Sequence, residues 1–472
     1  MPITTTRTHD ECMQKQKQKS GHRGVYLVAV LAVASNITGP LGANAANSQD
    51  ATPPSVSNGT PEGVAFHGQA TLVEQGNFAF HAPYRAANSF DSGNVAKETL
   101  DATAFIGARL WVGSEIWINP EIDQGFGLSD TLGIAGFPSG EAYKVGKKTP
   151  YLRLQRLFLR QTFNLDKNVE PVDGGLNQLA GYRSADRIVL TVGKFSVPDL
   201  FDTNQYAHDT RADFLNWAAL DAGSFDYAAD AWGYTVGAAA EWYQGAWTVR
   251  GGVFDLSDVP NSEKLDSRFH QFQVDLELEK RYEVVGKGGR ILFTVFQTRG
   301  RMGRFVDAIH LAQMTGVAAD IVAVRQYRNR TGISFNLEQQ LSADLGVFAR
   351  TGVADGNVEP YEFTDIDRTL SMGLSAKGTH WGRTQDKLGL VGIVNAISAA
   401  HQDFFNAGGL GILIGDGRLP HPRPEEIVET YYDMHAAAGI DVSLDYQFVD
   451  HPAYNPDRGP VSILGLRIHG QF

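Results

Sequence analysis

The chain has 472 residues, 43% hydrophobic and 20% charged, with a formal net charge of -12 and a mean hydropathy of -0.22. This surplus of carboxylates argues against nucleic acid as a partner, because holding a phosphate backbone takes clustered Lys and Arg. After residue 40 no apolar run approaches the roughly 18 residues that a membrane helix needs, so a helical membrane protein is excluded. A barrel is not excluded, since only every second residue of its strands faces lipid.

Residues 1–45 read as an export signal. Lys15, Lys17, Lys19, His22 and Arg23 make a basic start, residues 25–33 an apolar stretch, and Ala43-Asn44-Ala45 a small-x-small cleavage pattern. A polar, Pro- and Ser-rich segment follows over 46–62. Cleavage would remove Cys12, the single cysteine. The exported chain then has no thiol and needs another means of closure, which a barrel supplies by pairing every strand.

Strand regions lie near 64–80 and 102–118. About thirteen more, near the ten residues of a tilted barrel strand, lie at 151–163, 187–194, 232–243, 246–254, 269–281, 290–299, 331–340, 344–352, 368–377, 386–395, 427–435, 439–448 and 461–472. The alternation is clean in several. Phe272, Val274, Leu276 and Leu278 oppose Gln273, Asp275, Glu277 and Glu279, and Ile440, Val442 and Leu444 oppose Asp441, Ser443 and Asp445. A helix would space such residues three or four apart. A single-chain bacterial barrel has an even strand number, which sets the expectation at sixteen, one strand being unplaced between residues 51 and 119.

The connections carry more weight. Counted back from the C-terminus, long links (449–460, 396–426, 353–367, 300–330, 255–268, 195–231) alternate with short ones (436–438, 378–385, 341–343, 282–289, 244–245). Long loops on one face and tight turns on the other are the topology of an outer-membrane barrel, and a soluble sandwich has no reason to keep that parity. Trp242, Trp247, Trp381, Tyr431 and Tyr432 near strand ends suit interfacial aromatic girdles.

The link 195–231 is the segment most suggestive of function. It is too aromatic for a solvated loop, and a link of that length tends to fold inward or carry function. Aromatic rings beside carboxylates and an Arg suit a sugar, the ring lying on the apolar face of a pyranose and the charged groups taking hydroxyls. Asp209, Arg211, Trp217, Asp226, Tyr227 and Asp230 are therefore the candidate constriction residues, with Glu338, Arg350, Asp445 and Arg467 opposite them on interior strand faces. Elsewhere, apolar residues from Phe305 to Met314 predict a short helix. The Gly-rich run 408–417 lacks the Lys-Ser/Thr of a phosphate loop. The histidines show no ligand spacing, and no nucleophile elbow is present. No catalytic residue, metal or cofactor is expected, although Asp365-Ile366-Asp367 leaves calcium open.

The last strand ends at Phe472, with Leu464, Leu466, Ile468 and Phe472 on one face and Gly465, Arg467, His469 and Gln471 on the other. It resembles the closing strand of bacterial outer-membrane barrels, which implies the barrel assembly machinery as a partner through Phe472. More widely, the chain resembles the carbohydrate-selective porins of the OprB type. The likeness lies in Gly193-Lys194-Phe195, Phe201-Asp202-Thr203-Asn204, Phe214-Leu215-Asn216-Trp217, Asp226-Tyr227-Ala228-Ala229-Asp230 and Asn336-Leu337-Glu338-Gln339-Gln340. It continues in Gly346-Val347-Phe348-Ala349-Arg350, Asp445-Tyr446-Gln447-Phe448, Pro452-Ala453-Tyr454-Asn455 and Asp457-Arg458-Gly459-Pro460. The resemblance implies an all-β fold, a transmembrane antiparallel up-and-down β-barrel of sixteen strands over 63–472, in the bacterial outer membrane and in contact with its lipid. It also implies passive diffusion of mono- or oligosaccharides such as glucose through a narrowed, Arg- and Glu-lined pore, in a monomer or a homotrimer. Two rivals remain. A general or anion-selective porin would need a constriction dominated by Lys and Arg, and an outer-membrane enzyme or structural anchor would need converging catalytic groups or a plugged lumen.

Overall fold

The computed structural model describes residues 61–142, 146–363 and 365–472. The expected export signal and nearly all of segment 46–62 lie outside the described residues. In chain order the strands are β1 (Val64–Asn77), β2 (Ala96–Ala108), β3 (Ser114–Gly125), β4 (Lys147–Asn164), β5 (Val169–Val172), β6 (Gly181–Ser184), β7 (Arg187–Phe195), β8 (Thr235–Gln244) and β9 (Trp247–Asp255). Then come β10 (Phe272–Val284), β11 (Lys287–Met302), β12 (Gln326–Gln340), β13 (Leu345–Ala354), β14 (Arg368–Gly378), β15 (Arg383–Ala396), β16 (Glu425–Ala437), β17 (Ile440–Asp450) and β18 (Val461–Gln471). All but β5 and β6 close into one antiparallel barrel of sixteen strands, sealed where Gln69 to Asn77 pair with Gln471 to Ile463. The expected strand number is met.

The unplaced strand lies inside what the sequence reads as one. Residues 102–118 are the turn-proximal halves of β2 and β3, with Ile106 opposite Ile118. Leu110, Trp111 and Val112 in the turn are all apolar and exposed, so no polar break marks it. Gly113 reverses the chain at φ 77°, a left-handed conformation that glycine adopts without penalty.

Inside and outside are reversed relative to a protein folded in water. On β10 the inward Gln273, Asp275, Glu277 and Glu279 are each at most 2% exposed, whereas outward Leu276 is 58% exposed. The side-chain period of two delivers the two faces, and a polar lumen within an apolar wall is the arrangement of a transmembrane barrel.

The long links 78–95, 126–146, 196–234, 256–271, 303–325, 355–367, 397–424 and 451–460 share one end. The opposite end carries the turns 109–113, 245–246, 285–286, 341–344, 379–382 and 438–439, and one exception, link 165–186, which holds the β5–β6 hairpin. Trp111, Trp242, Trp247 and Trp381 are exposed near the short-turn end, and Tyr432 joins the same belt, its hydroxyl accepting from Trp381 Nε1 at 3.1 Å. Tyr431 is not part of this girdle. It is one residue out of phase, faces inward and packs edge-on against Phe214. The expected helix is α2 (Phe305–Thr315), preceded by the single-turn α1 (Trp217–Leu220) and followed by α3 (Ala399–Asn406).

Candidate functional site

Link 196–234 lies inside the barrel, and the wall supplies the partners its backbone needs. Asp202 N donates to Glu277 (2.7 Å), Gln205 N to Glu338 (2.8 Å), Asn216 N to Glu429 (3.1 Å) and Ala228 N to Gln273 (2.6 Å). In the other direction Arg350 donates to the carbonyls of Ala219, Asp202 and Ala207, and Arg467 to those of Thr210 and Asp213 at 2.7 Å each. Buried backbone groups must be paired, so a loop inside a lumen requires such a lining of acids and arginines. Asn216 caps α1 by accepting from Ala218 N, and its amide also donates to Gly136 O (2.8 Å).

A second link, 126–146, is sewn to the first. Trp217 N donates to Phe137 O (3.0 Å) and Gly140 N to Leu215 O (2.7 Å). Glu425 accepts from Ala135 N and Gly136 N, and Gln447 donates to Pro138 O. The Phe137 and Trp217 rings stack at 4.9 Å, with Phe363 4.6 Å from Trp217 on the far link 355–367.

Between these links and the wall from β2 to β4 lies a cavity of about 280 Å³. Phe137, Trp217, Tyr227 and Phe363 pack together as an aromatic cluster in its lining, while Tyr234 lies beside Arg156, 5.0 Å from the guanidinium, and Trp232 beside Arg153. The lining is also charged. Arg156 holds Asp199 through two hydrogen bonds of 2.8 and 2.6 Å. Arg211 faces Asp101 (3.3 Å), Glu141 (3.3 Å) and Glu121 (3.6 Å), and Asp209 accepts from Arg211 N. Arg156 reaches the lumen because β4 is bulged opposite Pro120, where the register slips and a proline can donate no ladder bond. Tyr151, Arg153 and Gln155 point inward before the bulge, and Arg156, Phe158 and Arg160 after it.

Of the residues singled out from sequence, Asp209, Arg211, Trp217 and Tyr227 line this cavity. The others fasten the loop. Asp226 pairs with Arg330 (2.9 Å) and accepts from Tyr361 N and Glu362 N. Asp230 is held by Arg153 and Lys194 and accepts from Trp232 N. Glu338 takes a two-pronged contact from Arg290, and Asp445 lies beside Gln447 and Glu429. Arg350 and Arg467 are spent on loop carbonyls. None of these six borders the cavity. Period-two reasoning finds inward polar residues but cannot tell one that faces solute from one that faces a folded-in loop.

At the long-link rim, α2 and α3 meet over His401, which is fully buried and stacked on Phe305 at 4.0 Å. It contacts Asp367 (3.1 Å) and Asp365 (3.3 Å), and Arg330 also reaches Asp367. The acidic pair left open as a calcium site is thus engaged with a histidine and an arginine. Burial alone would lower the His401 pKa, but the Asp367 and Asp365 carboxylates outweigh it and push it up to about 9.

A closed sixteen-stranded barrel with a polar, loop-narrowed lumen is an outer-membrane porin. The family model of the carbohydrate-selective porins, OprB family, matches residues 89–472. The chain belongs to that family. Among solved structures, the high-pH form of Pseudomonas putida OprB is similar at a TM-score of 0.67 and 16% identity, over 87% of this chain and 94% of that one. Its low-pH form gives 0.46 at 13% identity, over 87% and 93% of the two chains. The outer membrane channel DcaP of Acinetobacter baumannii gives 0.46 at 9%, over 88% and 99%. At such identities the likeness is one of fold. No curated protein matches the chain in sequence. The protein is an outer-membrane sugar porin.

Proposed function

We propose that neutral sugars such as glucose cross through the cavity between links 126–146 and 196–234, moving down their gradient without chemical change. The observation carrying this reading is that one space of about 280 Å³ is bordered both by the Phe137, Trp217, Tyr227 and Phe363 ring cluster and by the Arg156–Asp199 and Arg211–Glu141 pairs. A pyranose has the same division, with an apolar C–H face and a rim of hydroxyls. Rings accept the first, and guanidinium and carboxylate groups donate to and accept from the second. With Arg156 and Arg211 each held by carboxylates, the cavity lacks the Lys- and Arg-dominated ring of an anion-selective porin. Several weak contacts in sequence, rather than one tight site, let the solute leave.

In this reading Asp209, Arg211, Trp217 and Tyr227 act with Arg156, Asp199 and Glu141 as the solute-facing set, while Asp226, Asp230, Glu338, Arg350, Asp445 and Arg467 hold the constriction in shape. The outward leucines and valines contact lipid. Segment 1–45 is the export signal, 46–62 is a polar segment that precedes the barrel in the sequence, and Phe472 is read by the assembly machinery. A monomer or a trimer fits equally. Liposomes containing the protein should swell in arabinose and glucose and more slowly in sucrose. Uptake no faster than into empty liposomes would refute the reading.

A further inference from the structure

The single long link at the short-turn end builds a second chamber. Residues 173–180 of the β5–β6 hairpin turn up into the mouth of the barrel. Asn177 is held by Asn119 (2.9 Å) and by Arg160 through its carbonyl (2.8 Å). Ala180 is held by Arg109 (3.0 Å) and by Glu62 (2.8 Å). Leu176 and Asn177 border the sugar cavity described above, whereas Gln178, Leu179 and Tyr182 border another, of about 300 Å³. Asp199 borders both, so the two cavities adjoin.

The second chamber differs in charge. Its lining has five arginines but three carboxylates, and each carboxylate already has a guanidinium: Asp199 has Arg156, Glu241 has Arg250 (3.0 Å) and Glu115 has Arg160 (3.7 Å). Arg109 is spent on the carbonyls of Glu62 and Ala180. That leaves Arg183 and Arg187, for which the described residues provide no carboxylate. Arg183 is exposed, with one contact to Gln178 (3.4 Å). Arg187 lies on the Tyr243 ring at 3.6 Å and gives Nη1 to the carbonyls of Ser184 and Ala185. It is also hydrogen-bonded to Tyr243, yet among the described residues no carboxylate lies in ion-pair contact with its guanidinium, the fork that matches one.

We propose that this chamber is a second solute subsite, for sugars that carry a carboxylate (aldonates or uronates), with Arg183 and Arg187 as the recognising pair. Tyr182 and Thr162 lie in the same lining, where their hydroxyls can meet those of the sugar. In a protein of net charge -12 a local cationic excess at one end of the lumen raises the local concentration of anionic solutes there. The hairpin is what makes it, for it contributes Arg183 and covers one side of the chamber. The inference rests on the sugar-porin reading only in taking both chambers as one path.

The test is block of ion current in planar bilayers holding the whole mature protein, with glucose, gluconate and acetate titrated in turn from the hairpin side. Gluconate should half-block at about fivefold lower concentration than glucose, the return expected from two partly solvated ion pairs. In the Arg183→Gln/Arg187→Gln variant the two should fall within about a factor of two of each other. The single Arg183→Gln change, at an exposed position, should give an intermediate value and guards against a double variant that fails to fold. Gluconate no better than glucose in the wild-type protein overturns the proposal, as does a preference that survives both substitutions. Acetate equal to gluconate also overturns it, because the chamber would then filter anions without regard to hydroxyls. Failure of glucose to enter liposomes at all would instead count against the first cavity.

Discussion

Replacing Arg467 by Met separates the two roles open to a lumen arginine. The side chain is 1% exposed and gives Nη1 to the carbonyls of Thr210 and Asp213 at 2.7 Å. On the wall it meets Ser443 Oγ at 2.6 Å and Asp433 at 3.5 Å. Met keeps the length of the stem and removes every donor. Ser443 and Asp433 remain hydrogen-bonded to each other, so the loss falls on the loop. At about 1.5–3 kcal/mol for each bond to a charged donor, the attachment of residues 210–213 weakens by about 3–6 kcal/mol. The ladders of β17 and β18 are untouched, so the barrel should still show heat-modifiable migration in gels. Thr210 and Arg211 line the sugar cavity, and their release should raise single-channel conductance and admit larger sugars in a swelling series. If Arg467 contacted solute directly, glucose flux would fall while conductance and size limit stayed at wild-type values. That second pattern would refute the assignment of Arg467 as a loop fastener.

Arg211→Gln leaves Asp101, Glu121 and Glu141 without their shared cation. Potassium over chloride permeability, from reversal potentials, should rise by about an order of magnitude at low salt and by less at high salt. Trp217→Ala removes the ring stacked on Phe137 and beside Phe363. It should weaken glucose block of ion current by about fivefold, in line with the ~0.5–1.5 kcal/mol of an aromatic contact, and unchanged block would count against stacking. The His401 clamp is pH-dependent with a definite sign. Its folded pKa of about 9 is raised, so its stabilisation is complete below the unfolded value of roughly 6.5 and disappears as pH rises through about 9. Asp367 is shifted the other way: burial would raise its pKa, but His401 and Arg330 outweigh that and hold it low. Its share is therefore lost only in acid. Proteolysis of links 303–325 and 397–424 should accelerate between pH 7 and about 9.5, and His401→Gln should abolish that dependence; an identical pH profile in the variant would refute the clamp.

How far the sequence discloses this molecule depends on which rule each residue obeys. Strand alternation and link parity are local and repeated, so the barrel and the side of its long loops can be read directly, whereas the count of sixteen comes from the even-number rule applied to about fifteen visible strand regions. The β2–β3 turn escaped because Leu110, Trp111 and Val112 are apolar where a turn is expected to be polar, an arrangement that suits an interface and not water. Asp226, Arg350 and Arg467 look like pore residues for a physical reason: a loop folded into a lumen presents unmet N–H and C=O groups, and the wall must answer with the same acids and arginines that would serve a sugar. The distinction is tertiary, and one chain's pattern does not contain it.

Arg156 is a different case, because its signal is present. From Tyr151 the chain runs Leu152, Leu154, Leu157, Leu159 on the outer face, and the step from 154 to 157 holds two polar residues, Gln155 and Arg156, where alternation allows one. An inserted residue in a strand is a bulge, and a bulge swings the residues that follow it to the other face. Facing it, Pro120 marks the same point on β3. The shift sends Arg156 to Asp199 and Arg160 to the hairpin carbonyl of Asn177, so one extra residue supplies a charge to both chambers. Deleting Gln155 tests this. The variant should restore unbroken alternation through Leu159 with Arg156 and Arg160 still facing the lumen, so the Arg156–Asp199 pair should persist while the Gln155–Glu121 bond (2.9 Å) is lost. A deletion variant that lost wild-type sugar block or ion selectivity would refute this account, in which the inward phase of Arg156 and Arg160 is what matters to the pore.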